Sequence, residues 1–277
     1  MRVLTGACLG AAALSMFMHV AEAQQQPVAP PASAAPSAPA APPNFGLRVE
    51  IEPNALALVK AMSDRLAAAK TMTFTAVAMY ESLARTGEPL AYTTLSRVAL
   101  QRPDKLRVLT LGDGPPTEFY YDGKTAKAYE PTANLVAVAE APDTIDATLL
   151  AAYQHAAIYF PFTDVIVADP LKDLMNGLQI AFVVGKSRVV GGVATDIVAL
   201  ANQSAHIQIW IGSDDKLPRM IRATFMGDPA RFRHAVEFSD WKLDVPIPPD
   251  SFTSAALAGA TRVEFARPDA PGTKTGK

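Results

Sequence analysis

The chain has 277 residues, 49% hydrophobic and 19% charged, with a formal net charge of -2. That length can bury one sizeable core, and a near-neutral balance without a dense Lys/Arg block gives no electrostatic basis for a nucleic-acid partner. Cys8 is the only cysteine, so a disulfide framework is excluded.

Residues 1–23 combine an early arginine, an apolar run from Leu9 to Met18, and small residues at Ala21 and Ala23 before Gln24. This is the pattern of a secretory signal peptide cleaved after Ala23, with an apolar run too short for a membrane span. Cys8 lies too near the start to act as a lipidated cysteine. The expected location is the periplasm, with no integral span in the mature chain. Residues 24–44, rich in alanine and proline, read as a disordered linker. The folded domain is expected over 45–266, followed by a flexible tail at 267–277.

Pro53 suits the first turn of a helix, and Leu56, Val59, Met62, Leu66 and Ala69 recur at helical spacing. Short strands follow. TMTFTAVAMYESL sets Thr73, Thr75, Val77 and Met79 against Met72, Phe74, Ala76, Ala78 and Tyr80. YTTLSRVALQ, KLRVLTL, TEFYYDGKTAKAYEP and NLVAVAEAP continue, with Asp122-Gly123 a strong hairpin signal. Spacing this short predicts an antiparallel meander, since parallel strands need longer crossovers.

A helical insertion over 144–177 interrupts the strands. TIDATLLAAYQHAA and DPLKDLMNGL read as helices, separated by the apolar segment IYFPFTDVIV, which is either buried or meets an apolar partner. Strands resume with QIAFVVG, SRVVGGVATDIVALAN, AHIQIWIG, PRMIRATFM and RFRHAVEFSDWKL, and ATRVEFA reads as a last edge strand. The expected fold class is α+β: a strongly curved antiparallel β-sheet, an incomplete β-barrel, of about ten strands with helices covering the concave face.

No phosphate-binding, dinucleotide, zinc-protease or nucleophile-elbow motif is present, and no catalytic residue, metal or cofactor is assigned. His206, Gln208 and Trp210 share one strand face while Ile207, Ile209 and Ile211 take the other. The isoleucine face predicts core. The mixed face either borders water or lines a cavity. Asp196, among apolar neighbours, needs a partner if buried, with Arg188, Arg219, Arg222 or His206 as candidates. Asp214 and Asp215 read as a solvated turn. Candidate cavity-lining residues are Phe74, Tyr80, Tyr92, Phe119, Tyr129, Tyr159, Phe160, Phe162, Phe182, His206, Gln208 and Trp210. If Phe160 and Phe162 form a lid, changing both to serine should weaken apolar binding.

The segments RPDKLRV, FYYDGKTAKAY, FPFTDVI, GGVATDIVAL and HIQIWIGSDDKLPRMIRATF resemble the family of predicted periplasmic proteins called domain of unknown function 2092, from about Pro53 to Phe252. That family is similar to the LolA, LolB and LppX superfamily of periplasmic carriers, which implies a half-barrel with an apolar cavity. The family pattern matches Asp122, Gly123, Asp196, Gln208, Trp210, Pro218 and Arg219. Members often carry Cys-Asp-His-Leu where this chain has Thr195, Asp196, Ile197 and Val198, so a histidine role there is absent. The implied function is a carrier or binding protein for a lipid, lipoprotein acyl chain or other hydrophobic ligand. A non-catalytic envelope structural or interaction module, with an envelope protein as partner, is the alternative. An envelope hydrolase is a third reading, requiring His155, His206 or His234 beside a serine or aspartate.

Overall fold

In this computed structural model, which describes residues 50–267, the first element is helix α1 (Pro53–Ala68). Proline at its start costs nothing, because the amide it lacks has no partner inside the helix. Val59, Met62, Leu66 and Ala69 are buried along one stripe, as the spacing predicts, while Leu56 is only half-buried and Ala55 beside it is fully buried.

Six strands follow: β1 (Thr71–Leu83), β2 (Pro89–Gln101), β3 (Lys105–Gly112), β4 (Thr117–Tyr121), β5 (Thr125–Glu130) and β6 (Leu135–Glu140). Helices α2 (Ile145–Ala156), α3 (Thr163–Ile166) and α4 (Pro170–Met175) come next. The chain then forms β7 (Ile180–Ser187), β8 (Thr195–Ala201), β9 (Ala205–Gly212), β10 (Pro218–Phe225), β11 (Arg233–Leu243) and the short β12 (Thr261–Val263). The twelve strands form one sheet in the order β12-β6-β5-β4-β3-β2-β1-β11-β10-β9-β8-β7. Two sequential meanders are thus joined where β1 pairs antiparallel with β11.

This corrects the expected fold class. The sheet has twelve strands rather than about ten, and it is mixed, because β12 runs parallel to β6. It is an open sheet, neither closed nor strongly curled, with β12 and β7 at its two ends rather than paired or approaching as in an incomplete barrel. Strand patterning reveals which residues alternate, but curvature is set by the volumes packed between layers and by where strands far apart in sequence join. The connection that escapes local patterning is the return of the C-terminal segment, which reaches back past β11 to lie beside β6.

The sheet has two unequal faces. On the inner one, Met72, Phe74, Val98, Leu106, Val108, Phe119, Ile209, Ile211 and Phe238 join the buried residues of α1 and the segment 158–174 in one core cluster. On the outer one, Ala99, Tyr120, Tyr129 and Val136 are buried away from that cluster, as is Phe252. The turn Pro249–Phe252 packs on β3 and covers this smaller patch. Tyr120 donates to Glu118 at 2.6 Å. Burial, and then that carboxylate, push its hydroxyl up to about 12. The signal peptide, the linker and all of the tail but Arg267 lie outside the described residues.

Candidate functional site

The segment after α2 is aimed inward by its backbone. Ala157 adopts a left-handed conformation (φ 54°) and its N–H reaches back to the carbonyls of Ala152 and Tyr153, which ends the helix. Thr163 Oγ1 then donates to the Phe160 carbonyl at 2.7 Å. Phe160 and Phe162 drop onto the inner face, 9% and 1% exposed. Phe162 meets Phe74 edge-on with centroids 5.7 Å apart, and Phe160 meets Phe119 at 5.4 Å. Phe74 in turn packs on Trp241 at 4.4 Å, whose Nε1 donates to the Pro218 carbonyl at 3.0 Å. The structure therefore brings four of the sequence candidates, Phe74, Phe119, Phe160 and Phe162, into one filled aromatic layer.

A groove of about 440 Å³ opens elsewhere, between α2, the ends of β5 and β6, and residues 265–267. Its walls are largely alanine: Ala126, Ala139, Ala141, Ala151 and Ala152, with Phe265 beside them. Glu140, Gln154, His155 and Arg267 supply its polar groups. Thr148 Oγ1 donates to the Pro142 carbonyl at 3.2 Å, and Tyr121 Oη donates to the same oxygen, which fixes the groove's corner. Small residues on facing helix and strand positions leave space because neither side fills it. None of the candidate cavity-lining residues named from sequence lines this groove; of the three histidines weighed for a hydrolase, His155 does. The readable signal was the alanine density of TLLAAYQHAA and of the β6 end, where no aromatic drew notice.

The remaining candidates are dispersed. His206 is exposed, and Gln208 and Trp210 are half-buried, all three on the outer face, while Ile209 and Ile211 are buried on the inner one. Tyr80 and Tyr92 stack at 5.6 Å on the inner face, and Tyr80 lies 6.5 Å from His234. Burial holds His234 below the usual histidine range, against the pull of Asp228 and Glu81. Tyr159 contacts Tyr153 at 6.5 Å beyond α2, Phe182 is half-buried on β7, and Tyr129 belongs to the buried outer patch. Among the described residues no group of three or more His, Cys, Asp or Glu side chains is placed to hold a metal ion.

The residues matching the family pattern make structural contacts. Asp122 caps the β4–β5 turn, accepting from the N–H groups of Lys124 and Thr125 at 3.0 and 2.8 Å and from Lys127 Nζ at 2.6 Å. Gly123 has φ +94°, and a Cβ there would lie 2.6 Å from Asp104 Oδ2. Asp196 is 8% exposed, accepts from Ser213 Oγ at 2.9 Å and pairs with Lys186 at 3.4 Å. The structure thus gives it a lysine partner from β7 in place of the arginines or His206 considered from sequence. Arg219 pairs with Asp215 at 2.6 Å, and its aliphatic stem packs against Gly191, where a Cβ would come within 2.8 Å.

The profile of the family described as "Predicted periplasmic protein (DUF2092)" matches residues 55–266, nearly the whole described chain. The chain belongs to that family. It is accordingly a periplasmic protein. No curated protein sequence matches the chain. Among solved structures, it is similar to one titled as the complex of Pseudomonas aeruginosa MucA/MucB, with 16% identity, a TM-score of 0.40, and coverage of 76% of this chain and 64% of that one. LprF from Mycobacterium bovis aligns with 14% identity and a TM-score of 0.41, over 72% of this chain and 97% of that one. A LolA superfamily protein from Nitrosomonas europaea aligns with 8% identity and a TM-score of 0.31, over 70% and 97%. The chain spans less than two thirds of the MucA/MucB structure's matched chain, 64%. No helix among the described residues is long and apolar enough to cross a membrane.

Proposed function

We propose that this family member is a periplasmic binding protein that receives one apolar chain, such as the acyl chain of a lipid or lipoprotein, in the groove between α2 and the β5–β6 ends. The observation that carries this reading is the groove itself, about 440 Å³ with walls of small apolar side chains. If a methylene takes up roughly the ~30 Å³ of a water molecule, the space suits about a dozen of them. Each contributes about 0.8 kcal/mol on leaving water, before the cost of ordering the chain. Glu140, Gln154 and His155 stand at the groove's polar margin, where a headgroup would lie.

A second reading, an envelope interaction module without a small-molecule cargo, is favoured by the filled layer at Phe160 and Phe162. Native mass spectrometry of protein recovered from its own periplasm separates the two. A stoichiometric lipid-like adduct is the outcome expected of a carrier. Delipidated protein that takes up no fluorescent fatty acid sinks that reading in favour of the module.

A further inference from the structure

The groove has two walls held by the core and one that is not. On α2, Ile145, Leu149 and Ala152 are buried, as is Ala126 on β5. The third wall, residues 265–267, ends a stretch in which no residue from Ala255 onward is buried. Its base is fixed, since Phe252 is buried and Ser254 hydrogen-bonds the Tyr120 side chain. Beyond that base the stretch joins the sheet at β12, three exposed residues beside the start of β6.

Asn134 fastens it there. This residue, at the entry to β6, is exposed and has a left-handed backbone (φ 54°). Its carbonyl accepts from the Thr261 N–H at 2.9 Å, its Nδ2 donates to the Gly259 carbonyl at 3.1 Å, and its Oδ1 accepts from the Tyr129 hydroxyl at 3.1 Å. Segments with exposed backbone hydrogen bonds and little apolar burial are the ones that open at low cost in free energy.

Phe265 is the aromatic residue of this wall. Carrying the β12–β6 register two residues past Val263 sets it opposite Ala139, and it packs against the core cluster. The floor beyond it is nearly shut to water, with Ala126 3% and Ala152 2% exposed although both line the groove. We infer that residues 255–267 are a hinged gate on this groove: Phe265 covers the apolar floor, and the stretch swings out from its base at Ser254 when Asn134 lets go, admitting one apolar chain. The ring and the incoming chain compete for the same surface of small side chains, so loading displaces the ring. This inference rests on the groove being the binding site and adds the route by which it fills. Such a gate sets the rates of entry and release.

Two variants of the mature chain test it. Asn134→Gly keeps the positive φ and the main-chain acceptor but removes both side-chain hydrogen bonds. Deuterium exchange at the amides of 255–267, and release of a bound fluorescent fatty acid, should each quicken by about tenfold, with exchange in β4 and β5 unchanged. Ala137→Cys combined with Val263→Cys puts two thiols on directly paired residues, within disulfide reach. Cys8, the chain's one cysteine, lies ahead of the cleavage expected after Ala23. Oxidising this double variant should slow uptake and release by at least about tenfold, and reductant should restore both. If its oxidised and reduced forms exchange fatty acid at equal rates, or if the 255–267 amides of the wild type exchange as slowly as those of β5, the gate is overturned while the groove stands. A wild type that takes up no fatty acid overturns the groove reading and the gate with it.

Discussion

The rings of Phe160 and Phe162 stack with centroids 5.6 Å apart and planes 19° apart, two residues of one segment lying side by side on the inner face of the sheet. Phe162 is 1% exposed and touches Phe74, so it holds the excursion between α2 and α3 onto the core. Phe162→Ala is expected to cost about 3–5 kcal/mol of stability, measured by urea unfolding. A cost below about 1 kcal/mol would show that the segment packs more loosely than the ring contacts imply.

Gly123 faces both a backbone and a space constraint, with φ +94° and Asp104 Oδ2 only 2.6 Å from where a Cβ would stand. Gly123→Ala should destabilise by about 1–3 kcal/mol. Gly177 has φ +66° but nothing within 4 Å of such a Cβ, so Gly177→Ala should cost less, through conformation alone. Thermal unfolding of the two variants side by side checks the ordering.

Burial works against the Asp122 carboxylate, yet hydrogen bonds from Lys127, Thr125 and Lys124 outweigh it and hold the group well below the usual carboxylate range. A carboxyl group whose folded pKa is depressed contributes stability that is present above its unfolded value of about 3.9 and lost as pH falls through the folded one. Asp122→Asn should therefore be less stable than wild type near neutrality, with the gap narrowing below about pH 4. A constant gap from neutral to acid pH would mean the ionised form is not what the turn uses.

His234 lies between Tyr80 and Phe225, whose centroids are 6.5 and 5.1 Å from its own, and burial lowers its pKa. Its neutral form is the one the fold favours. The contribution is present above the unfolded value of about 6.5 and is lost as pH falls through the folded value. The imidazole should titrate below about 6.5 by NMR. His234→Phe should flatten the decline of thermal midpoint between neutral and mildly acidic pH.

Ala151 is half-buried and lines the groove. Ala151→Phe should occupy it and reduce uptake of a fluorescent fatty acid by about tenfold or more, with stability changed by under about 1.5 kcal/mol. Unaltered uptake would place any apolar ligand elsewhere.

Local features of this fold were readable in the sequence wherever a short window determines them. The isoleucine face of HIQIWI is core because alternation fixes it, and Asp122-Gly123 turns a hairpin because only its chemistry suits that turn. Pro53 starts α1 for the same local reason. Features that depend on distant pairing were not readable. Val77 lies beside Glu237 only once β1 is registered against β11, some 160 residues later in the chain. Asp196 finds Lys186 only because β7 and β8 pair in a register that includes a bulge between Val183 and Gly185. Aromatic density drew the sequence reading toward a cavity at Phe160 and Phe162, where those rings fill space, while the groove is bounded by alanines, which register in a sequence chiefly as good helix formers.

An open sheet has two ends at which another strand can add, and chains with such ends can grow laterally into fibrils. Here β7 is closed off by the chain's own entry: Ile51 bridges Ala181, the Glu52 N–H donates to the Ala181 carbonyl at 2.7 Å, and the Glu52 carboxylate accepts from the Val183 N–H at 2.9 Å. The bulge at Val183 and Gly185 interrupts the remainder, and at the other end β12 spans only Thr261–Val263. The three residues ahead of α1 therefore act as a stopper against polymerisation, and a chain begun at Pro53 would present a bare strand edge to its neighbours.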